Sequence, residues 1–113
     1  MDKLNRYQTV VKQALTEYGA LLQSPPKPPY DVALIFDDQH NHYLIREIGW
    51  TDKGRVRETI LHLAIRNGKI WVEEDWTEEG VATFLVQHGV PEKDIVLGFQ
   101  PPDIRPYSEF AVA

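Results

Sequence analysis

The chain of 113 residues contains no cysteine. That excludes a disulfide-stapled scaffold, a Cys-ligated zinc site, an iron–sulfur centre and a thiol nucleophile. Long apolar runs are missing as well, since no stretch reaches the roughly 18 residues that a membrane-spanning helix needs. The first residues, Met1 to Tyr7, are polar, with neither an apolar h-region nor a small-residue cleavage site. The expectation is a protein without a signal peptide, away from membranes and cytoplasmic. Serine is scarce: only Ser24 and Ser108 occur, neither in a nucleophile-elbow context, and no Gly-rich phosphate loop is present. Positive charge is also in deficit, with 12 Lys and Arg against 17 Asp and Glu for a net charge of −5. A surface that grips nucleic-acid phosphates usually needs the opposite balance.

What is present is the composition of an ordinary folded domain, 42% hydrophobic and 26% charged. At this length one domain, 1–113, is expected, with about 6,300 Å² left exposed at this mass. Charge is spread unevenly. Residues 1–30 carry four basic and two acidic side chains, so the negative field belongs to the rest of the chain.

Residues 3–23 have helical periodicity. Leu4, Tyr7, Val11, Ala14, Tyr18 and Leu22 recur at steps of three and four, and Val10, Leu15 and Leu21 widen the stripe. The helix must stop at Ser24-Pro25-Pro26-Lys27-Pro28-Pro29, a stiff extended connector. Four strand-like segments follow: Asp31 to Phe36, His42 to Trp50, Arg55 to Arg66 and Lys69 to Asp75. Asn67-Gly68 between the last two is a type I′ hairpin signal, because both central positions need positive φ. That turn sets Arg66 against Lys69, Ile65 against Ile70, Ala64 against Trp71, Leu63 against Val72 and His62 against Glu73. Ile65, Leu63, Ile70 and Val72 then share the core face. A second helix is expected from Thr77, with a threonine cap and Glu78 and Glu79 in its first turn, ending at Gly89 before Pro91. Ile95-Val96-Leu97 reads as a short strand or extended segment. The tail from Phe99 is broken by Pro101, Pro102 and Pro106, yet it ends in Phe110-Ala111-Val112-Ala113. So apolar a terminus should dock on something.

Candidate chemistry is sparse. His40 and His42, two apart beside Asp37 and Asp38, would point the same way on a strand, but a closed metal site needs further ligands at a legible spacing. His62 opposite Glu73 is either an acid–base dyad or a cross-strand charge pair, and no nucleophile accompanies it. No catalytic, cofactor or metal residue is therefore assigned. Glu73-Glu74-Asp75-Trp76-Thr77-Glu78-Glu79 holds five carboxylates in seven residues. It is either a solvated strand end and helix cap or a surface for a basic partner. Trp50, Trp71 and Trp76 add large aromatic surface, which is enriched at interfaces.

Many of these residues together resemble the XisI family, the fdxN element excision controlling factors of cyanobacteria. The resemblance is carried by Gly49-Trp50 through Arg55, His62-Leu63-Ala64-Ile65, and Asn67-Gly68-Lys69-Ile70-Trp71-Val72. It continues through Asp75, Thr77-Glu78, Gly89-Val90-Pro91, Ile95-Val96-Leu97-Gly98-Phe99, Pro102, Arg105 and Phe110-Ala111-Val112-Ala113, and Asp37 and His42-Tyr43 also fit. Trp76 and Ser108 depart from the pattern, where a small or polar residue and Thr are usual. The resemblance implies a role in controlling site-specific excision of a DNA element. It also implies a XisH-like partner of nuclease-type fold, with a separate recombinase performing the strand chemistry. It implies no catalytic residue.

The expected fold is α+β: a mainly antiparallel four-stranded sheet, a long N-terminal helix on one face, a second helix and an extended C-terminal tail. The expected function is a non-enzymatic accessory factor that works through protein contacts. Alternatives are an antitoxin-like neutraliser of a nuclease-like partner, or a direct DNA-binding factor using Lys3, Arg6 and Lys12 on the first helix. The surface expected to meet a partner comprises Trp50, Trp71, Glu73, Glu74, Asp75, Trp76, Glu78 and Glu79, with Arg105 and Phe110 from the tail. Surplus apolar surface and the apolar terminus further predict a homodimer or higher homo-oligomer.

Overall fold

A computed structural model describes residues 2–113. Helix α1 runs Lys3–Leu22, and the Asp2 side chain caps it by accepting from the Asn5 N–H at 2.7 Å. Its apolar stripe is the face that packs: Tyr7, Val10, Val11, Ala14 and Leu15 are all buried. The strands are β1 Tyr30–Asp37, β2 His42–Thr51, β3 Gly54–Arg66, β4 Lys69–Asp75 and β5 Ile95–Leu97, and helix α2 spans Val81–Gln87. They form one sheet in the order β1-β2-β3-β4-β5.

The sheet thus has five strands, not four. The first four pair antiparallel in succession, whereas β5 pairs parallel to β4, Ile70 with Ile95 through Val72 with Leu97. A parallel neighbour needs a crossover, and the segment containing α2 supplies it. Ile95–Leu97 is the short strand its sequence suggests, and three residues are too few to show which edge it would join.

Both turn residues of the β3–β4 hairpin have positive φ, Asn67 at 53° and Gly68 at 75°. The pairs Arg66–Lys69, Ile65–Ile70, Ala64–Trp71 and Leu63–Val72 follow from it. Beyond them the register shifts, and His62 lies opposite Glu74 rather than Glu73. A bulge inserts one extra residue and displaces every later pair. A second shift falls in β2–β3 between Ile45 and Arg46, and it turns Ile60 onto the core side.

Helix α2 begins at Val81, four residues later than its sequence suggests, with Gly80 at φ 82° as its N-cap. Thr77 is not a cap. The Asp75 carboxylate does that work, accepting from the Val81 N–H at 2.7 Å and the Thr77 N–H at 2.9 Å. Both helices cover one face of the sheet, and Tyr43, Ile45, Leu61, Leu63, Ile70, Val72, Val81 and Leu85 are fully buried between the layers. Among the described residues the other face carries no α-helix. The C-terminal tail docks on its own sheet: the Ala111 N–H donates to the Ile95 carbonyl at 2.8 Å, and Phe110 packs against the core. With one face uncovered, the Cα radius of gyration of 14.7 Å exceeds the about 13 Å usual for this length.

Candidate functional site

The residues expected to meet a partner fall into three separate places. The first is a groove of about 530 Å³ at the junction of α1, α2 and the segment after β4. Tyr18, Leu22, Ile60 and Phe84 form its floor, with the Tyr18 and Phe84 rings 6.3 Å apart. Leu21 and Trp76 stand at its sides, 68% and 72% exposed. Glu17, Glu78 and Glu79 rim it. Trp76 is held by its backbone N–H on the Ile60 carbonyl (2.9 Å) and by its indole N–H on Glu74 (2.7 Å). Asp75 folds the following loop back through its bonds to Thr77 and Val81. Burial raises the Tyr18 pKa, and the Asp75 and Glu79 charges add to it, although a bond with Thr77 works the other way.

The acidic run is therefore the end of β4 followed by a loop, and only the loop part, Trp76 to Glu79, borders the hydrophobic floor. That floor comes from residues distant in sequence, so no local pattern showed it. Its one trace is Leu21, which lies off the centre of the α1 stripe.

The second place is the helix-free face near the tail. The Arg66 guanidinium lies 4.1 Å from the Trp71 ring and that of Arg105 lies 5.3 Å away. Arg105 also donates to the carbonyls of Gln100, Gly98 and Val112. Glu73, displaced by the bulge, sits 3.8 Å from Arg66. Arg105 thus ties the tail to the sheet through Trp71, Glu73 pairs with Arg66 beside it, and Phe110 packs instead against the core.

Trp50 is alone at the third place. It pairs with Arg55, whose guanidinium is 5.5 Å from its ring. Five residues of β3 separate that level from the Ile60 carbonyl that holds Trp76, roughly 16 Å of strand.

The histidines also sort differently from their sequence spacing. His40 lies in the turn before β2 and bonds Asp37 at 2.8 Å, and the His40 backbone and ring N–H groups hold the Asp37 carboxyl below its usual range. His42 instead meets His62 across the β2–β3 pair, Nδ1 to Nε2 at 3.0 Å. Register is the signal that would have found this pair, since His42 and Leu44 flank the levels of Ala64 and His62. Burial and then the neighbouring His42 lower the His62 pKa, against the opposing pull of Glu73 and Glu74. Among the described residues no group of three His, Asp or Glu side chains is placed to hold a metal ion. No helix there is long and apolar enough to cross a membrane.

Of the cations of α1, Lys3 and Arg6 both lie beside the Tyr7 ring, and Lys3 and Lys12 are each paired with a carboxylate. Lys3 reaches Asp94 at 3.0 Å, and Lys12 reaches Asp38 at 2.6 Å. The Tyr7 hydroxyl also donates to Asp94, and burial with that bond pushes its pKa up to about 12.

The profile of the XisI protein family matches residues 1–112. The whole fold is similar to the crystal structure of the fdxN element excision controlling factor XisI from Anabaena variabilis. That match has 40% identity and a TM-score of 0.88, and covers 99% of this chain and 100% of the other. It is equally similar to the crystal structure of a XisI-like protein from Anabaena variabilis, at 38% identity and a TM-score of 0.89 over 97% of this chain and 99% of that one. Comparison with curated proteins finds no match. A family profile spanning residues 1–112, together with two solved folds near 40% identity, leaves one assignment: the chain belongs to the XisI family.

Proposed function

We propose that this protein is a non-catalytic accessory factor in the control of site-specific excision of a DNA element, acting in the cytoplasm through contact with a XisH-like partner of nuclease-type fold. Excision control is the role of the similar Anabaena variabilis protein, an fdxN element excision controlling factor. The observation that carries contact rather than chemistry is the groove: an apolar floor with Leu21 and Trp76 exposed beside it, rimmed by Glu17, Glu78 and Glu79. Such a surface suits a segment with an apolar anchor and flanking Lys or Arg. The anchor would supply affinity, and the opposite charges would speed encounter and set orientation. A nuclease-like partner would need a basic DNA-facing surface, and such a surface would fit the rim. A second reading follows from the same complementarity: covering that surface would neutralise the partner's nuclease.

Calorimetric titration of the purified chain with a XisH-like protein tests the contact. Trp76→Ala should weaken binding by at least about tenfold, since buried aromatic anchors dominate interface energetics. Glu78→Lys with Glu79→Lys should slow association and remove its salt dependence. Unchanged binding in both variants would refute the groove as the contact surface. An excision reporter and a nuclease assay run with the same variants separate excision control from neutralisation. Turnover of nucleic acid by the protein alone, lost in His62→Ala, would refute the non-catalytic reading.

A further inference from the structure

The two edges of the sheet are treated differently. The β5 edge is closed, because Ala111 bridges Val96 and bonds Ile95. Among the described residues no strand lies beyond the β1 edge. Natural edges are usually blunted by Pro, Lys, an inward charge or a bulge. Tyr30–Asp37 (YDVALIFD) has none of these in its middle, and its eight pairs with β2 run without a register shift. Three consecutive apolar residues there are exposed: Leu34 at 36%, Ile35 at 41% and Phe36 at 41%.

We infer that β1 pairs antiparallel with β1 of a second copy about a two-fold axis at Ile35, making one continuous sheet across both subunits. Symmetry, charge and the gathering of the exposed apolar residues together favour that register. Directly opposed residues in an antiparallel pair share a face, so a two-fold axis must pass through a residue paired with its own copy. Centring on Leu34 would set Asp31 against the second copy's Asp37, a like-charge pair that destabilises. Centring on Ile35 avoids that and sets Ile35 against Ile35 and Leu34 against Phe36, which gathers all three exposed residues at the axis.

Surface area agrees. The chain exposes 7071 Å², against about 6,300 Å² for a compact protein of this mass. The excess is close to the roughly 800 Å² that each partner gives to a standard interface. This interface uses residues distinct from those of the groove, which no residue of β1 lines.

Light scattering of the full chain at micromolar concentration should give twice 13.0 kDa. Ile35→Lys should give a monomer with unchanged circular dichroism, because Ile35 is not part of the core cluster. The cysteine-free background allows a second test. Under mild oxidation Ile35→Cys should form an intersubunit disulfide much faster than Glu92→Cys, an exposed position away from β1. A monomeric full chain, a dimer that survives Ile35→Lys, or equal crosslinking of the two cysteine variants would each overturn the inference.

Discussion

The two faces of the sheet are built from the same strands but follow different rules. Under the helices every contributor is apolar: Tyr43, Ile45, Leu61, Leu63, Ile70 and Val72 are fully buried. On the other face lie His42, Leu44, His62, Trp71 and Glu73, where rings stack on guanidinium groups and imidazoles share a bond. The covered face specifies the fold, since burying hydrocarbon is non-directional and scales with area. The uncovered face stays half-wet, and its contacts are worth a fraction of a kcal/mol up to about 1 each. Mutations should therefore weigh very differently on the two sides.

The largest effect should come from the covered face. Leu63→Ala, at a position with no exposure, should cost about 2–5 kcal/mol in urea unfolding. The half-buried Leu44→Ala on the uncovered face should cost clearly less. Equal losses would mean that the uncovered face is a second core. Next comes the turn that holds both faces in register. Gly68→Val forces a β-branched residue to φ 75° and should cost about 1–3 kcal/mol; an unchanged melting temperature would contradict the hairpin. Asp75→Ala removes the acceptor for the N–H groups of Thr77 and Val81. A loss of about 1–2 kcal/mol is expected, with weaker partner binding as the loop that carries Trp76 loosens.

The smallest effect is a pH dependence confined to the uncovered face. Folding holds the His62 pKa below its ordinary value of 6.5, through burial and the His42 charge. The unfolded chain therefore takes up the proton first as pH falls. Stability from this group is full above about pH 6.5 and declines below it, until the folded protein is protonated as well. His62→Gln should flatten the melting-temperature profile in that window. An unaltered slope would assign the dependence to other groups.

Much of this architecture is legible in the sequence alone. Helix α1, the first four strands and the Asn67-Gly68 turn follow from apolar spacing of three to four or of two, from proline stops and from positive-φ residues. Each of those signals acts within a few residues, so a linear reading captures it. Local order also accounts for the sign of the field around Glu73–Glu79. Yet the same local reading placed a cap at Thr77, because a threonine followed by two glutamates has the right chemistry, whereas Asp75 reaches further along the chain and takes the N–H groups first.

Only tertiary structure decided the rest. The shift after Leu63 moved Glu74 opposite His62, since a bulge is set by how the strand ends pack and not by the turn that starts the pairing. Residues 95–97 read as a short strand or extended segment, but their place as a fifth, parallel strand came from the edge that β4 offered, and the tail then closed the new edge through Ala111. The groove gathers Tyr18 and Leu22 from α1, Ile60 from β3, Trp76 from the loop and Phe84 from α2. His42 meets His62 across twenty residues of chain. Such pairings depend on loop closure and layer packing, which bring together groups whose sequence separation carries no period, and so only the folded chain could display them.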